Sequence, residues 1–137
     1  AFVDFNLVKG TLMQSFDFYK GLSHPFSKAA YMMFVMSEVH PFLDGNGRIA
    51  RVMMNAELVK AGQSKIIIPT IYREDYMGAL RRLTRQGDPD PYIRMLQRAH
   101  EFSENIFGDD MNEMQEYLIQ TNAFLEHTEA KLKIITR

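Results

Sequence analysis

Between positions 40 and 51 the sequence reads HPFLDGNGRIAR. The run holds a histidine, a carboxylate, an Asn between two glycines, and two arginines three residues apart. A neutral imidazole accepts a proton from an attacking hydroxyl, so His40 suits a general base. Mg²⁺ commonly takes one or two protein carboxylates and leaves its other positions to phosphates and water. Asp44, the only carboxylate in the loop, suits that role. Gly45 and Gly47 permit backbone angles that other residues avoid, so Gly45-Asn46-Gly47 can turn successive N–H groups toward one point as an anion nest. A helix starting there adds unpaired N–H donors and a partial positive charge. Arg48 and Arg51 then fall on one face of its first turn, where guanidinium groups can reach phosphate oxygens with paired donors. A base, a metal ligand, an anion cradle and neutralising arginines are the parts of a phosphoryl- or nucleotidyl-transfer site.

Each residue alone has an ordinary structural use. A His before Pro ends a helix, Asp-Gly-Asn-Gly makes a turn, and arginines on a helix face are solvated. The joint spacing carries the argument, and it depends on the elements that hold the loop.

The dominant pattern along the chain is helical. Asp4 can cap a helix running to about Lys20, with Val8, Leu12, Phe16 and Tyr19 on one face and Gly21 as its stop. Pro25 suits a first-turn position of a second helix to Val39, apolar nearly all round and therefore central. Pro41 disfavours helical geometry at His40, so His40 should stand at the helix end. A third helix is expected from Gly47 to Ala61, with Ile49, Val52, Met53, Ala56 and Val59 inward and Gly62 ending it. Ile66 to Pro69 is too short to assign. Three more helices are expected over Arg73–Gln86, Pro91–Phe107 and Met111–Ile134, separated by Gly87-Asp-Pro-Asp-Pro and Gly108-Asp-Asp. The expectation is an all-α, six-helix domain over residues 1–137 with the loop between two central helices.

Composition sets bounds. At 137 residues and 46% hydrophobic, the chain suits one domain with a real core. Lys plus Arg is 16 against 17 for Asp plus Glu, which argues against nucleic acid as a partner. There is no Cys, so disulfide and Cys-ligated zinc scaffolds are out. The longest apolar run, Ala29 to Met36, falls far short of the ~20 residues that cross a bilayer. No signal segment is visible, and the expected location is cytoplasmic. The chain opens without Met and is expected to be part of something longer.

HPFLDGNGRIAR resembles the signature of the Fic (Fic/Doc) family, His-Pro-Phe-x-Asp/Glu-Gly-Asn-Gly-Arg-x-x-Arg, at every defined position. The all-α layout is similar to the Fic core, in which the motif loop links two central helices. The resemblance implies the AMP-transferase type, in the C-terminal catalytic portion of a longer Fic protein. It would transfer AMP from ATP, with Mg²⁺ as cofactor, to a Ser, Thr or Tyr hydroxyl of a target protein. His40 would then be the base and Asp44 the Mg²⁺ ligand. Gly45, Asn46 and Gly47 would form the anion hole, with Asn46 also reaching the α-phosphate. Arg48 would hold the β-phosphate, Arg51 the γ-phosphate, and Phe42 would anchor the loop in the core.

Phosphotransferases of the same fold carry Lys where this chain has Gly47, which favours nucleotidyl transfer here. Phosphocholine or UMP transfer, and a nucleotide-binding module without turnover, are the other readings; an intact His40 argues against the last. Ala1–Phe5 could be a remnant of the family's target-docking flap. No clean autoinhibitory motif is present. The nearest is Asn122 to His127, where Glu126 reads better as a solvated helical residue, so an inhibitor would lie on another segment or on an antitoxin. His24 reads as a helix entry. Arg81, Arg82 and Arg85, with Glu74, Asp75, Asp88 and Asp90 near in sequence, read as a mixed-charge surface able to join a docking face. The ten Met residues read as core filling.

Overall fold

The computed structural model describes residues 4–137; the first three residues of the expected flap remnant lie outside the described residues. Among the described residues there are six α-helices, two 3₁₀ turns and no strand. No helix among them is long and apolar enough to cross a membrane. The chain divides into two compact units, Ala1–Gln63 and Ser64–Arg137.

In the first unit Asp4 caps the 3₁₀ turn Phe5–Leu7 by accepting the Asn6 N–H at 2.9 Å. The turn runs into α1, Val8–Lys20, which ends at Gly21. None of α1 is buried, and Phe16 is 46% exposed, so its apolar face is at most half-covered. Instead α1 is tied by aromatic contact, the Phe18 ring lying 4.9 Å from that of Tyr31.

Helix α2, Pro25–Val39, buries Ala29, Met33, Met36 and Val39 among others, as an all-round apolar helix must. It packs along α3, Asn46–Lys60. The buried stripe of α3 is Asn46, Ala50, Met54 and Leu58, whereas Val52 and Val59 are 68% and 52% exposed. This corrects the expected inward face, of which Ile49 and Met53 are half-buried flanks. Both stripes have helical spacing, so periodicity alone admits either. The anchoring of Asn46, described below, fixes the rotation.

The second unit begins with Ile66 buried and the Ile67 N–H donating to the Ser103 hydroxyl at 2.8 Å. The 3₁₀ turn Thr70–Tyr72 leads into α4, Arg73–Gln86, and Gly87 closes that helix with φ 65. Helix α5, Asp90–Glu104, buries Tyr92, Leu96, Ala99 and Phe102. It stops three residues short of Phe107, where the Asn105 side chain donates to the Glu101 carbonyl at 2.9 Å and caps the end.

Helix α6, Met111–Gln120, is far shorter than the expected Met111–Ile134. Asn122 takes a left-handed φ of 66, and its side chain donates to the Lys131 carbonyl at 2.9 Å. The Lys133 N–H reaches the Thr121 carbonyl at 2.9 Å. The chain therefore doubles back and buries Leu132, burial that a continued helix would not provide.

Candidate active site

Helix α2 ends at His40, whose φ of 54 and ψ of 57 are left-handed. Pro41 keeps His40 out of right-handed helical geometry and so stops α2 there, and the left-handed turn re-aims the chain into the loop. The conformation costs a non-glycine residue about 1–2 kcal/mol. The His40 N–H still reaches the Met36 carbonyl at 3.2 Å, so the imidazole is borne at the last turn of a packed helix.

Six residues later α3 starts, and its first residue, Asn46, makes the junction. It is 3% exposed. Its Oδ1 accepts the Phe42 N–H at 2.9 Å, and its Nδ2 donates to the Phe42 carbonyl at 2.8 Å. The loop is thus anchored through the backbone of Phe42, not its ring. The ring is 50% exposed, which corrects the expected core anchor, and Leu43 beside it is fully exposed. Because the Asn46 amide is turned to Phe42, its backbone N–H at the start of α3 is what it offers an anion.

The charged groups lie at that helix start. Asp44 and Arg48 approach to 3.7 Å, with side chains 96% and 74% exposed. Exposed pairs of this kind contribute ~0–1 kcal/mol, so the two groups can exchange for other partners cheaply. Gly45 has φ +79, and a Cβ there would lie 3.1 Å from an Arg48 guanidinium nitrogen. A Cβ on Gly47 would lie 3.5 Å from Arg51 Nη1. Gly47 itself is inside α3 without positive φ. Its expected role as a special backbone angle is therefore corrected: it is an ordinary helical position, with Arg51 folded back to van der Waals reach of where a Cβ would stand. Asp44, Gly45, Gly47, Arg48 and Arg51 gather at one helix mouth, and His40 stands at the other end of the same short loop.

Among the described residues no three His, Cys, Asp or Glu side chains converge on a metal position. A single exposed carboxylate beside an anion cradle suits a hard cation that brings phosphate and water ligands with it. Glu126 lies in the turn after α6, not on a helix, and is exposed.

Sequence reasoning missed one pair that braces this unit. The Tyr19 hydroxyl of α1 donates to Glu57 of α3, whose side chain is only 13% exposed and also lies 3.6 Å from Lys60. The hydrogen bond to Glu57, then burial, then the carboxylate charge push the Tyr19 pKa up to about 12. No local spacing links positions 38 apart, so only the packing reveals it.

Residues 3–58 match the Fic/DOC family model, a span that contains α2, the loop and most of α3. Over 103 residues the chain is 35% identical to the protein adenylyltransferase Fic of Drosophila persimilis, covering 73% of this chain and 20% of that protein. Against the protein of the same name from Drosophila willistoni it is 34% identical over 106 residues, covering 75% and 21%. The chain thus spans about a fifth of the length of these curated relatives. Among solved structures it superposes on Fic-1 (aa134 - 508) from C. elegans with TM-score 0.60 and 26% identity, over 82% of this chain and 32% of that one. A Fic domain containing signaling protein from Bacteroides thetaiotaomicron gives TM-score 0.60 at 23% identity, over 80% and 52%, a likeness of fold alone.

Proposed function

The chain belongs to the Fic/DOC family, and from that premise we propose that it carries the catalytic core of a protein adenylyltransferase. The reaction is transfer of AMP from Mg-ATP to a Ser, Thr or Tyr hydroxyl of a target protein. The observation that carries this reading is the complete HPFLDGNGRIAR run folded as one short loop and the first turns of α3, with His40 and the helix mouth held on two packed helices.

His40 takes the proton of the acceptor hydroxyl as its oxygen attacks the α-phosphorus. The bond to the β-phosphate oxygen breaks, and pyrophosphate leaves. Backbone N–H groups of Gly45, Asn46 and Gly47 offer donors where charge develops on the α-phosphate, a preorganised form of stabilisation. Arg48 holds the β-phosphate and Arg51 the γ-phosphate, each moving off its resting place over a glycine. Asp44 would hold Mg²⁺, which would supply neutralisation of phosphate charge there. The exposed Asp44–Arg48 pair fits both assignments, since one exchange gives a carboxylate to the cation and a guanidinium to the phosphate.

Incubation with Mg²⁺, cell lysate and ATP labelled on either the α- or the γ-phosphate tests the reading. Protein-bound α-label without γ-label is expected. The reverse pattern would make the chain a phosphotransferase. Tight nucleotide binding with no label on any protein would favour a binding module.

A further inference from the structure

Where the chain doubles back after α6 it closes a cavity that the site loop does not use. The cavity lies wholly within the second unit and measures about 360 Å³, a size that suits a small ligand. Its floor is formed by the buried residues Ile71, Tyr72 and Leu132, and its rim by Arg98, His127 and Lys131, all exposed. Asp75 is the one carboxylate among the lining residues.

Backbone contacts place the rim groups. Arg98 of α5 donates from Nη2 to the Leu132 carbonyl at 3.4 Å. A guanidinium has five N–H donors, so most remain for another acceptor. Arg98 also faces the Tyr72 hydroxyl, whose pKa burial raises and the Arg98 charge lowers. The backbone at Lys131 is pinned on both sides of Leu132: the Asn122 side chain donates to the Lys131 carbonyl, and the Lys133 N–H to the Thr121 carbonyl, each at 2.9 Å. Glu129 closes the turn that carries His127 by accepting the Glu126 N–H at 3.2 Å, and it does not line the cavity. Among the described residues no carboxylate forms an ion pair with Arg98, His127 or Lys131. Three groups able to carry positive charge thus share one rim with a single carboxylate, and a bound anion relieves their repulsion.

We propose that this cavity binds a small phosphomonoester with a flat apolar body. The Arg98 guanidinium presents paired N–H groups that match two phosphate oxygens. Lys131 adds a point charge, and His127 a ring N–H for the third oxygen. The body rests on Ile71 and Leu132. That apolar floor selects an organic phosphate over free phosphate. Asp75 repels any anion, so one cation is not enough to hold one there. Arg98 and Lys131 together supply the surplus, and a phosphate dianion gains more from both than a carboxylate does.

Backbone-amide NMR of the whole chain, titrated with phenyl phosphate, is the test, with inorganic phosphate, benzoate and benzyl alcohol in parallel. Saturable shifts are expected at Ala130, Lys131 and Leu132. Shifts at Gly45 to Arg48 report phosphate at the site loop separately, so the two sites cannot be confused. Phenyl phosphate should bind the cavity roughly tenfold more tightly than any of the other three probes. Arg98→Gln and Lys131→Gln each remove a charge-assisted hydrogen bond, and each should raise the dissociation constant roughly tenfold. Arg82→Gln removes the same charge from a side chain that does not line this cavity, and should leave binding unchanged. No saturable shift at those amides with millimolar phenyl phosphate would overturn the proposal. So would benzoate or inorganic phosphate binding as tightly, or lining variants that bind like wild type.

Discussion

Asn46 grips the backbone of Phe42 from both sides, accepting its N–H at 2.9 Å and donating to its carbonyl at 2.8 Å. One buried amide thereby closes the loop that begins at His40 and sets the start of α3. Loop shape and helix rotation follow from the same side chain. The N–H groups proposed to meet phosphate are therefore held in place by the chain itself, which would lower the ordering cost of binding.

Asn46→Ala removes both bonds and leaves the Phe42 backbone groups to find water. A net hydrogen bond contributes ~0.5–1.5 kcal/mol, so the loss of two predicts a drop of about 1–3 kcal/mol in urea unfolding. ATP affinity should fall with it, because the donors are no longer held. An unchanged midpoint would mean that the loop keeps its shape by other means.

Gly45 and Gly47 should respond oppositely to alanine. At Gly45 the φ of +79 strains any side chain and the Cβ crowds Arg48, so Gly45→Ala should lower stability by about 1 kcal/mol. At Gly47 the backbone is helical and the Cβ meets Arg51 at an ordinary 3.5 Å, so Gly47→Ala should hold or raise stability. Thermal melts of the two variants side by side measure the contrast.

Much of this molecule is legible in its sequence. Pro25, Val39 and Pro41 mark the ends of α2 because proline restricts itself and the residue before it. The site loop is legible for a different reason: its residues are adjacent, so their spacing is their geometry. Three features are not legible. The inward face of α3 depends on Asn46, whose bonds to Phe42 form only when the loop folds. The end of α6 depends on Asn122 accepting a left-handed turn so that Leu132 can return to the core, a contact between segments that no local pattern encodes. The Tyr19–Glu57 bond joins two helices with a third between them in sequence.

That last pair predicts a pH response. Tyr19 has its pKa raised from 10.0 to about 12 in the folded chain. Between those values the unfolded chain loses a proton that the folded chain keeps, so stability falls as pH rises. The contribution is fully present below pH 10 and is lost as pH passes the raised value near 12. Urea midpoints followed across that range should drop less steeply in Tyr19→Phe than in wild type. Parallel curves would show that the pair does not resist titration.

The central claim is that His40 acts as a base and not as a binding residue. The measurement is the rate of α-label transfer from ATP to protein in wild type, His40→Ala and His40→Asn, with ATP affinity measured on the same samples by calorimetry. Asn tolerates the left-handed backbone at this position, so it separates lost chemistry from strain. The account predicts that both variants lose transfer by about 10²–10⁴-fold while binding ATP as wild type does. Transfer at the wild-type rate in either variant would contradict it.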